Sequence, residues 1–322
     1  MLFQHSKCRA VCTNPKCIAR GKELGNLVRN GKQRNGEQRY KCKICGNTCN
    51  AWSGTPLCGI HLKQKFLQVV KAFARHCTIA DASDLFEVRK DTVIDWLLRI
   101  GTYCDRFLRS RLRSVTARFV QFDEIQTWVG RKSQTTWVWQ AIDACSKLWL
   151  AAHVSTDRGQ HTCNWFVSKA AKAVRENSTV LVTSDGLFTY EHAIRSKFRN
   201  SAYAQVVKQY EGKQLVSVDK RVLTGESVED IERLVQSISG GKTVNTAFTE
   251  RLNATIRRTV GRLARRTLAF SRSVKCLEAS VFVAQVAYNF VRKHRSLGKT
   301  PAQAAGICDS RLDWFDIIYS RS

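Results

Sequence analysis

The chain has 322 residues, a length that allows two or three domains. Its 43% hydrophobic content and eight tryptophans exclude a largely disordered protein. Lys and Arg number 53 against 26 Asp and Glu, which gives a net charge of +27. Because such an excess repels itself in a compact state, it favours a polyanionic partner. We expect nucleic acid rather than a membrane, since the basic residues occur in blocks and the sequence shows no lipid-type amphipathic anchor.

Composition divides the chain into three predicted domains: residues 1–60, rich in cysteine and glycine; residues 61–114, with helical periodicity; and residues 115–322, where strands and helices alternate. The N-terminal stretch lacks the apolar region of a signal peptide. The thirteen cysteines are odd in number and unevenly placed. We therefore expect a cytoplasmic, nucleoid-associated protein whose cysteines are reduced.

Two close cysteine pairs mark the first domain. Cys12 and Cys17 have the spacing C-x4-C, and Cys42 and Cys45 have the spacing C-x2-C. Two thiolate pairs joined by a long loop suit tetrahedral zinc, so we predict a zinc ribbon that holds one structural Zn²⁺. Cys8 and Cys49 are alternatives that could each replace one of these ligands.

The second domain has the pattern of a helix-turn-helix. A first helical stripe is followed by two shorter helices on either side of the segment EVRKD, where Asp91 is placed to cap the second. In a helix-turn-helix, the second helix would face DNA. The residues predicted to do so are Arg89, Lys90, Thr92 and Arg99. Because the motif has only moderate specificity, an ordinary helical hairpin remains the alternative.

The third domain begins with a β-rich run, Phe119 to Ile125, that carries Asp123. Two further strands, a helix and a short buried strand follow, and the last of these runs out into Asp185. This order predicts an α/β ribonuclease-H-like sheet in which Asp123 and Asp185 come from adjacent strands and face each other. Each aspartate taken alone is better explained as a turn or strand-end residue.

A basic helical stretch supplies the third carboxylate. Val244, Phe248, Leu252, Ile256 and Val260 recur every four residues, which predicts one buried helical stripe. Glu250 lies on a different, polar face, and residues 251–275 contain eight Arg or Lys and no acid. A lone acid at the head of a basic stretch favours metal contact by Glu250, with DNA contacts from its neighbours. Those predicted contacts are Arg251, Asn253, Arg257 and Arg258.

Phosphodiester cleavage explains why three carboxylates would be needed. Two divalent ions about 3.5–4 Å apart stabilise charge on both the attacking and the leaving oxygen. Mg²⁺, or Mn²⁺ in its place, takes oxygen ligands, so carboxylates suit it. We therefore predict two such ions held by Asp123, Asp185 and Glu250.

Three other residues compete for a place in this site. Glu124 adjoins Asp123, but strand alternation directs it to the other face of the sheet. Asp143 could be a further ligand, although its position between two strands favours a turn role. His294 could contact DNA or phosphate, and a surface cap at the end of its helix is equally plausible.

At this point, several motifs resemble insertion-sequence transposases with a DDE catalytic triad, in particular the family typified by insertion sequence one. They are FDEIQTWVG, TSDG, NTAFTERLNATIRR and YNFVRKHRSLGKTPAQAAGI. The resemblance covers most of the chain, including the zinc ribbon and helix-turn-helix. It implies metal binding by Asp123, Asp185 and Glu250, recognition of terminal inverted repeats by the N-terminal part, and a homo-oligomer, at least a dimer, on paired DNA ends.

The expected activity is thus metal-dependent cleavage of double-stranded DNA at element ends and strand transfer into target DNA, without a covalent enzyme intermediate. Two alternatives remain open. One is a catalytically silent DNA-binding regulator derived from a transposase. The other is a nuclease of the same fold that cuts DNA without joining it.

Overall fold

The computed structural model describes residues 10–21, 25–176, 180–212, 214–225, 227–239, 243–265 and 267–320. Cys8, a proposed alternative zinc ligand, lies outside the described residues. The chain forms two compact units, one of residues 1–71 with 312–322 and one of residues 72–311. The predicted three-part division of the chain stays a prediction.

The helices and strands, in chain order, are β1 (Leu27–Lys32), β2 (Gln38–Cys42), β3 (Thr48–Cys49), α1 (Lys63–Phe73), α2 (Ile79–Leu85), α3 (Lys90–Arg111), β4 (Phe119–Trp128), β5 (Thr135–Asp143), β6 (Trp149–Ser155), α4 (Gln160–Ala173), β7 (Val180–Asp185), α5 (Thr189–Lys197), β8 (Ser201–Glu211), β9 (Gln214–Thr224), α6 (Val228–Ser239), α7 (Ala247–Thr259), α8 (Val274–Val286), α9 (Pro301–Ala304) and α10 (Trp314–Tyr319). A short 3-10 turn, Gly261–Leu263, follows α7, and a π-helical turn, Ala287–Val291, continues α8.

The smaller unit is built on the antiparallel sheet β1-β2-β3. Four cysteines form its buried cluster together with Ala19 and Leu27. The C-terminal helix α10 belongs to the same unit, where Tyr319 packs on Trp52 with ring centroids 5.6 Å apart. The end of the chain is therefore part of the cysteine-containing unit, a placement that the sequence pattern did not indicate.

The larger unit is organised around a six-stranded sheet with the order β6-β5-β4-β7-β8-β9. β4 pairs parallel with β7, β7 pairs parallel with β8, and the remaining pairs are antiparallel. This mixed α/β core is consistent with the predicted ribonuclease-H-like sheet. The hairpin β8–β9 continues the sheet beyond the strands assigned from sequence.

Helices cover both faces of this sheet. On one face, α4 buries Phe166 against Phe122 and Trp139, with Tyr190 of α5 completing an aromatic cluster. On the other face, α7 and α8 bury a cluster of aliphatic side chains against β4, β5 and β6. Since Phe122 and Asp123 are neighbours on a strand, Asp123 faces the α7 side of the sheet.

Helix α7 is shorter than the predicted stripe. Leu252 and Ile256 are buried on it and Phe248 is half-buried, as the four-residue spacing indicates. Val244 and Val260 are also buried, but they lie before and after the helix. The backbone of Val260 is extended, which ends the helix there. The basic stretch therefore spans a helix, a 3-10 turn and a loop rather than one helical face.

The segment Val274–Val291 is long and apolar enough to cross a membrane by length and composition alone. Of this segment, 67% is buried inside the protein. Gln285 and Asn289 both donate side-chain hydrogen bonds to the backbone oxygen of Trp149 in β6. These contacts are those of a core helix packed on the six-stranded sheet.

Helices α2 and α3 are joined by four residues, in which Glu87 has a left-handed backbone conformation with φ 49°. Thr78 and Asp81 form a capping box at the start of α2. The predicted cap of α3 by Asp91 is wrong. Arg89 is the N-cap and makes no side-chain cap bond, whereas Asp91 lies within the first turn, where its charge suits the helix dipole.

Helix α3 also packs closely on α8 through Gly101. A Cβ atom added at Gly101 would lie 2.4 Å from Ala279 Cβ and 2.6 Å from Ala279 Cα. Glycine thus lets two helix backbones approach each other, which explains why a poor helix former lies inside a 22-residue helix.

We expect Gly101→Ala to destabilise the protein by about 2 kcal/mol, because overpacking at this crossing outweighs the gain in helix propensity. The measurement is urea unfolding, followed by circular dichroism. Thr102→Ala, on the exposed face of the same helix turn, is the control and should leave the midpoint nearly unchanged. Equal stability of Gly101→Ala and wild type would contradict the close packing.

Candidate functional site

Asp123 and Asp185 meet where β4 and β7 separate. These strands pair only from Phe119 to Gln121 and from Leu181 to Thr183. Beyond that pairing the strands diverge and leave a gap, into which both aspartates project. Donor oxygens of Asp123, Glu124 and Asp185 all lie within 4.8 Å of one another, a spacing that could hold a metal ion. The predicted approach of the two aspartates is therefore present in the structure.

Glu124 is closer to this gap than strand alternation suggested. Its side chain is on the α5 face, where it accepts a hydrogen bond of 3.0 Å from the Tyr190 hydroxyl. Because β4 has already left β7 at this point, the carboxylate still reaches Asp123 and Asp185. Alternation along a strand determines the face of the sheet on which a side chain lies. It does not prevent side chains of opposite faces from approaching each other where two strands separate.

Arg158 neutralises part of this acidic group. Its guanidinium donates to Glu124 through Nε at 2.8 Å and also through Nη2, and Nη2 lies 3.9 Å from Asp185. The guanidinium carbon lies 4.3 Å from the centroid of the Trp137 ring. Sequence analysis missed Arg158, which comes from the loop before α4 and carries no motif of its own.

Asn253 is oriented toward the active site. Its amide donates to Asp123 Oδ2 at 2.7 Å, and its oxygen accepts from Gln140 of β5. This amide relay fixes the orientation of the Asp123 carboxylate. Sequence analysis had proposed a DNA contact for Asn253; the structure places its side chain against Asp123.

Gln121 fixes the start of α7 on the sheet. This side chain is fully buried, and its oxygen accepts from the backbone N–H groups of Phe248 and Thr249 at 3.0 and 3.2 Å. Its amide donates to the backbone oxygen of Asn245 at 2.8 Å. Three hydrogen bonds from one β4 residue thus set the position of the helix turn that carries Glu250.

Glu250 lines the same cavity as the two aspartates. The cavity has a volume of about 590 Å³, and its lining includes Asp123, Asp185, Glu250 and the exposed ring of Phe188. The Glu250 carboxylate pairs with Lys208 and accepts from the Thr246 hydroxyl at 2.9 Å. Among the described residues, the acids whose donor oxygens lie within 4.8 Å of one another are Asp123, Glu124 and Asp185, and Glu250 is not part of this group.

The acids differ in their pKa values. Burial, followed by the charge of Asp185, raises the pKa of Asp123 to about 7. Burial also raises the pKa of Glu124 and of Asp185. For Glu250, burial acts in the same direction, but hydrogen bonds from Lys208 and Thr246 outweigh it and lower the pKa. A crowded group of buried oxygen donors suits a hard divalent cation, which would relieve the repulsion.

Asp143 behaves as a turn residue. Its carboxylate accepts hydrogen bonds from the backbone N–H and the hydroxyl of Ser146, at 2.9 and 2.5 Å. It also accepts a longer bond of 3.4 Å from the Phe119 N–H. These bonds close the connection between β5 and β6 and explain a buried carboxylate without a role in metal binding.

The four predicted zinc ligands lie together in the smaller unit. Sγ atoms of Cys12, Cys17, Cys42 and Cys45 are all within 4.8 Å of one another. Cys12 Sγ lies 3.6 Å from Cys45 Sγ, and Cys17 Sγ lies 3.8 Å from Cys42 Sγ. Four thiolates at about 2.3 Å from a tetrahedral ion would be about 3.8 Å apart, so the donor set fits zinc.

The residues predicted to contact DNA fall in two places. Arg89, Lys90 and Thr92 lie at the start of α3, and Arg99 lies near its middle; Thr92 is half-buried and the other three are exposed. Arg251 and Arg258 are exposed on α7, whereas Arg257 is half-buried and donates to the Leu263 backbone oxygen at 3.3 Å. The structure thus leaves most of these cations accessible to a polyanion.

A comparison with known protein families supports a DDE domain in the larger unit. Residues 118–251 match the family model DDE_Tnp_IS240, described as a DDE domain. This range starts before Asp123 and ends just after Glu250. The match supports a DDE-type transposase of an insertion sequence, in agreement with the resemblance seen in the sequence. The matching family is named after a different insertion sequence from insertion sequence one. The match therefore supports the broader class, transposases with a DDE domain, rather than one family within it.

Similar solved structures were also found. One is a chain of the simian T-cell lymphotropic virus intasome in complex with PP2A regulatory subunit B56 gamma, with 12% identity, 74% of each chain covered and a TM-score of 0.36. Another is a chain of the piggyBac transposase synaptic complex with hairpin DNA, with 10% identity, 75% of this chain and 68% of that chain covered, and a TM-score of 0.37. No curated protein matches the chain.

The Gln121 anchor can be tested by Gln121→Leu, which keeps the volume but removes the acceptor for two buried N–H groups. We expect a loss of about 2 kcal/mol in the free energy of unfolding. Gln126→Leu, at an exposed position of the same strand, is the control and should change stability by less than about 0.5 kcal/mol. Thermal unfolding of both variants measures the two effects. Similar losses of stability in the two variants would argue against a role of Gln121 in holding the start of α7.

Proposed function

We propose that this transposase cleaves double-stranded DNA at the ends of its element and joins the ends to target DNA at the site formed by Asp123, Asp185 and Glu250. The observation that carries the proposal is the convergence of Asp123 and Asp185 within metal-binding distance, in a cavity that Glu250 also lines. Two Mg²⁺ or Mn²⁺ ions bound there would stabilise charge on the attacking and leaving oxygens of the phosphodiester.

Several protein groups prepare the site for this reaction. Asn253 orients the Asp123 carboxylate, and Arg158 compensates the charge of Glu124. Lys208 holds Glu250 in the free protein. For Glu250 to join the donor set of the aspartates, its carboxylate would have to turn from Lys208 toward them.

Recognition of the element ends is assigned to the N-terminal part of the chain. The four-cysteine cluster would hold one structural Zn²⁺ and so stabilise a small, polar domain. Helices α2 and α3 would act as a helix-turn-helix that presents Arg89, Lys90 and Arg99 to DNA. Two ends must be brought together for joining, so the active assembly is a homo-oligomer of at least two chains, acting on chromosomal DNA in the cytoplasm.

Glu250→Gln tests the catalytic assignment. The amide keeps the side-chain size but removes the negative charge, so we expect cleavage to fall by at least 100-fold, on the scale of losing a group that acts in the transition state. Affinity for duplex DNA should change by less than about threefold, because the binding cations remain. Cleavage of a labelled element end in Mg²⁺ and a filter-binding assay give the two numbers.

Glu229→Gln removes the same charge from an exposed position on α6 and is the matched control. It should cleave at the wild-type rate. If Glu250→Gln also cleaves at that rate, Glu250 is not part of the catalytic site.

Loss of the zinc site should unfold the smaller unit. Wild-type protein is expected to contain one zinc per chain, and Cys42→Ser should lower this content and abolish specific binding to the element end. Cys163→Ser changes a buried cysteine of the catalytic unit and should keep the metal. Elemental analysis makes the measurement, and metal-free wild-type protein that stays folded would contradict the assignment.

A joining assay separates the proposed function from the alternatives. Pre-cut ends with a free 3′-hydroxyl are supplied with a target plasmid and Mg²⁺. A transposase gives covalently joined products, whereas a nuclease of the same fold gives nicked plasmid alone. A silent regulator binds the ends without either product.

A further inference from the structure

Basic side chains from three separate parts of the chain converge beside the active site. Lys147, in the turn between β5 and β6, lies 3.4 Å from the centroid of the Phe248 ring on α7. The ring of His294 packs edge-on against Tyr288, and Tyr288 joins Phe248 on the same hydrophobic cluster. Arg251 follows Phe248 by one helix turn. Lys147, Arg251 and His294 are the first cluster.

The electrostatics agree with this proximity. Burial first, and then the charges of Lys147 and Arg251, lower the pKa of His294. Burial and the charge of Arg251 also lower the pKa of Lys147, against the opposing effect of the buried Asp143. The fold thus holds two cationic side chains, Lys147 and Arg251, close to the His294 imidazole, whose lowered pKa leaves it uncharged near neutral pH.

A second cluster lies at the other end of α7. His76, which follows Arg75, donates its backbone N–H to the backbone oxygen of Thr259 at 3.0 Å. The Nδ1 atom of His76 lies 3.0 Å from the backbone oxygen of Arg258. Arg75 is therefore held beside Arg258. Burial and then the charges of Arg75 and Arg258 lower the pKa of Arg292, which ends the π-helical turn after α8. Arg75, Arg258 and Arg292 are the second cluster.

Capping of α7 does not explain the second cluster. Basic residues often serve to satisfy the last carbonyls of a helix. Here the Arg258 and Thr259 carbonyls lie in hydrogen-bonding contact with His76, and the Ile256 carbonyl accepts from the Val260 N–H. The guanidinium groups of Arg75 and Arg258 are exposed rather than folded onto the helix end.

The spacing of the two clusters fits a nucleic-acid strand. Arg251 and Arg258 are seven residues apart, so they lie on the same face of α7, about 10.5 Å apart along its axis. Successive phosphates of one DNA strand rise about 3.4 Å each along the duplex axis, so for a duplex that runs parallel to α7 this distance corresponds to about three nucleotides.

We propose that the Lys147/Arg251/His294 cluster and the Arg75/Arg258/Arg292 cluster bind two backbone phosphates, about three nucleotides apart, on the DNA strand that enters the active site. This inference rests on the proposed function and adds to it the register of the strand. Arg251 follows Glu250 directly, so the first cluster holds the phosphate nearer to the reaction. The second cluster holds the strand farther along α7.

Salt dependence of duplex binding tests the second cluster. Arg258→Gln combined with Arg292→Gln should reduce the slope of log K against log salt by about 1, because the one phosphate held by the second cluster is no longer neutralised. Lys197→Gln combined with Arg199→Gln removes the same charge from exposed positions at the end of α5 and should reduce the slope by less than about 0.5. Equal slopes for the two double variants would overturn the proposal.

Neutral phosphate substitution tests the register. A methylphosphonate is placed at each successive position of one strand near the cleavage site. Wild-type protein should show weakened binding at two positions about three nucleotides apart. Arg258→Gln with Arg292→Gln should lose sensitivity at one position, and Lys147→Gln with His294→Gln at the other. Sensitivity spread evenly over all positions, or unaltered by the variants, would overturn the proposal.

Failure of this inference can be told apart from failure of the proposed function. If wild-type protein neither binds nor cleaves DNA, the proposed function fails and this inference with it. If wild-type protein cleaves DNA but the phosphate positions do not respond to the variants, the two clusters alone are wrong. Circular dichroism of Arg75→Gln, at an exposed position of the second cluster, provides a folded variant for the same assay.

Discussion

Repulsion among three acids, held close together where two central strands of the sheet separate, shapes the site of the larger unit. Asp123, Glu124 and Asp185 meet because β4 and β7 stop pairing just before them, which opens a gap between parallel strands. Carboxylates in such a gap have raised pKa values, so the free protein is unfavourably charged there. Divalent cations would relieve that repulsion. The close carboxylates therefore favour cation binding but lower the stability of the metal-free protein, as is common in active sites.

A set of uncharged side chains keeps this arrangement in place. Gln121 fixes the start of α7 from within β4, and the pair Gln140–Asn253 fixes Asp123 from β5 and α7. Amide groups suit this task because they donate and accept without adding charge to a crowded acidic site. Outside this inner region the sign of the charge reverses, and the cations along α7 offer positions for a phosphate backbone. In this proposal, the acidic residues hold the metal ions for the reaction, and the basic residues bind the DNA substrate.

The sequence predicted the strands that carry Asp123 and Asp185, the buried stripe on α7 and the clustering of four cysteines. Each of these features leaves a pattern in the sequence: β-rich runs for the strands, apolar residues every four positions for the helix, and short fixed spacings for the cysteine pairs. It could not predict Arg158 or Gln121, whose roles depend on contacts between elements far apart in the chain. Alternation along β4 assigned Glu124 to the correct face but could not reveal the divergence of the strands. The predicted cap at Asp91 is wrong because the N-cap of α3 lies two residues earlier, at Arg89, so that Asp91 falls within the first turn.

Direct binding of Mn²⁺ tests the central claim, since a paramagnetic ion can be counted by electron paramagnetic resonance without DNA or activity. We expect wild-type protein to bind Mn²⁺ at the carboxylate site and Asp185→Asn to lose that binding, while Asp219→Asn, on the outer strand β9, retains it. Equal Mn²⁺ binding by wild type and Asp185→Asn would contradict the account.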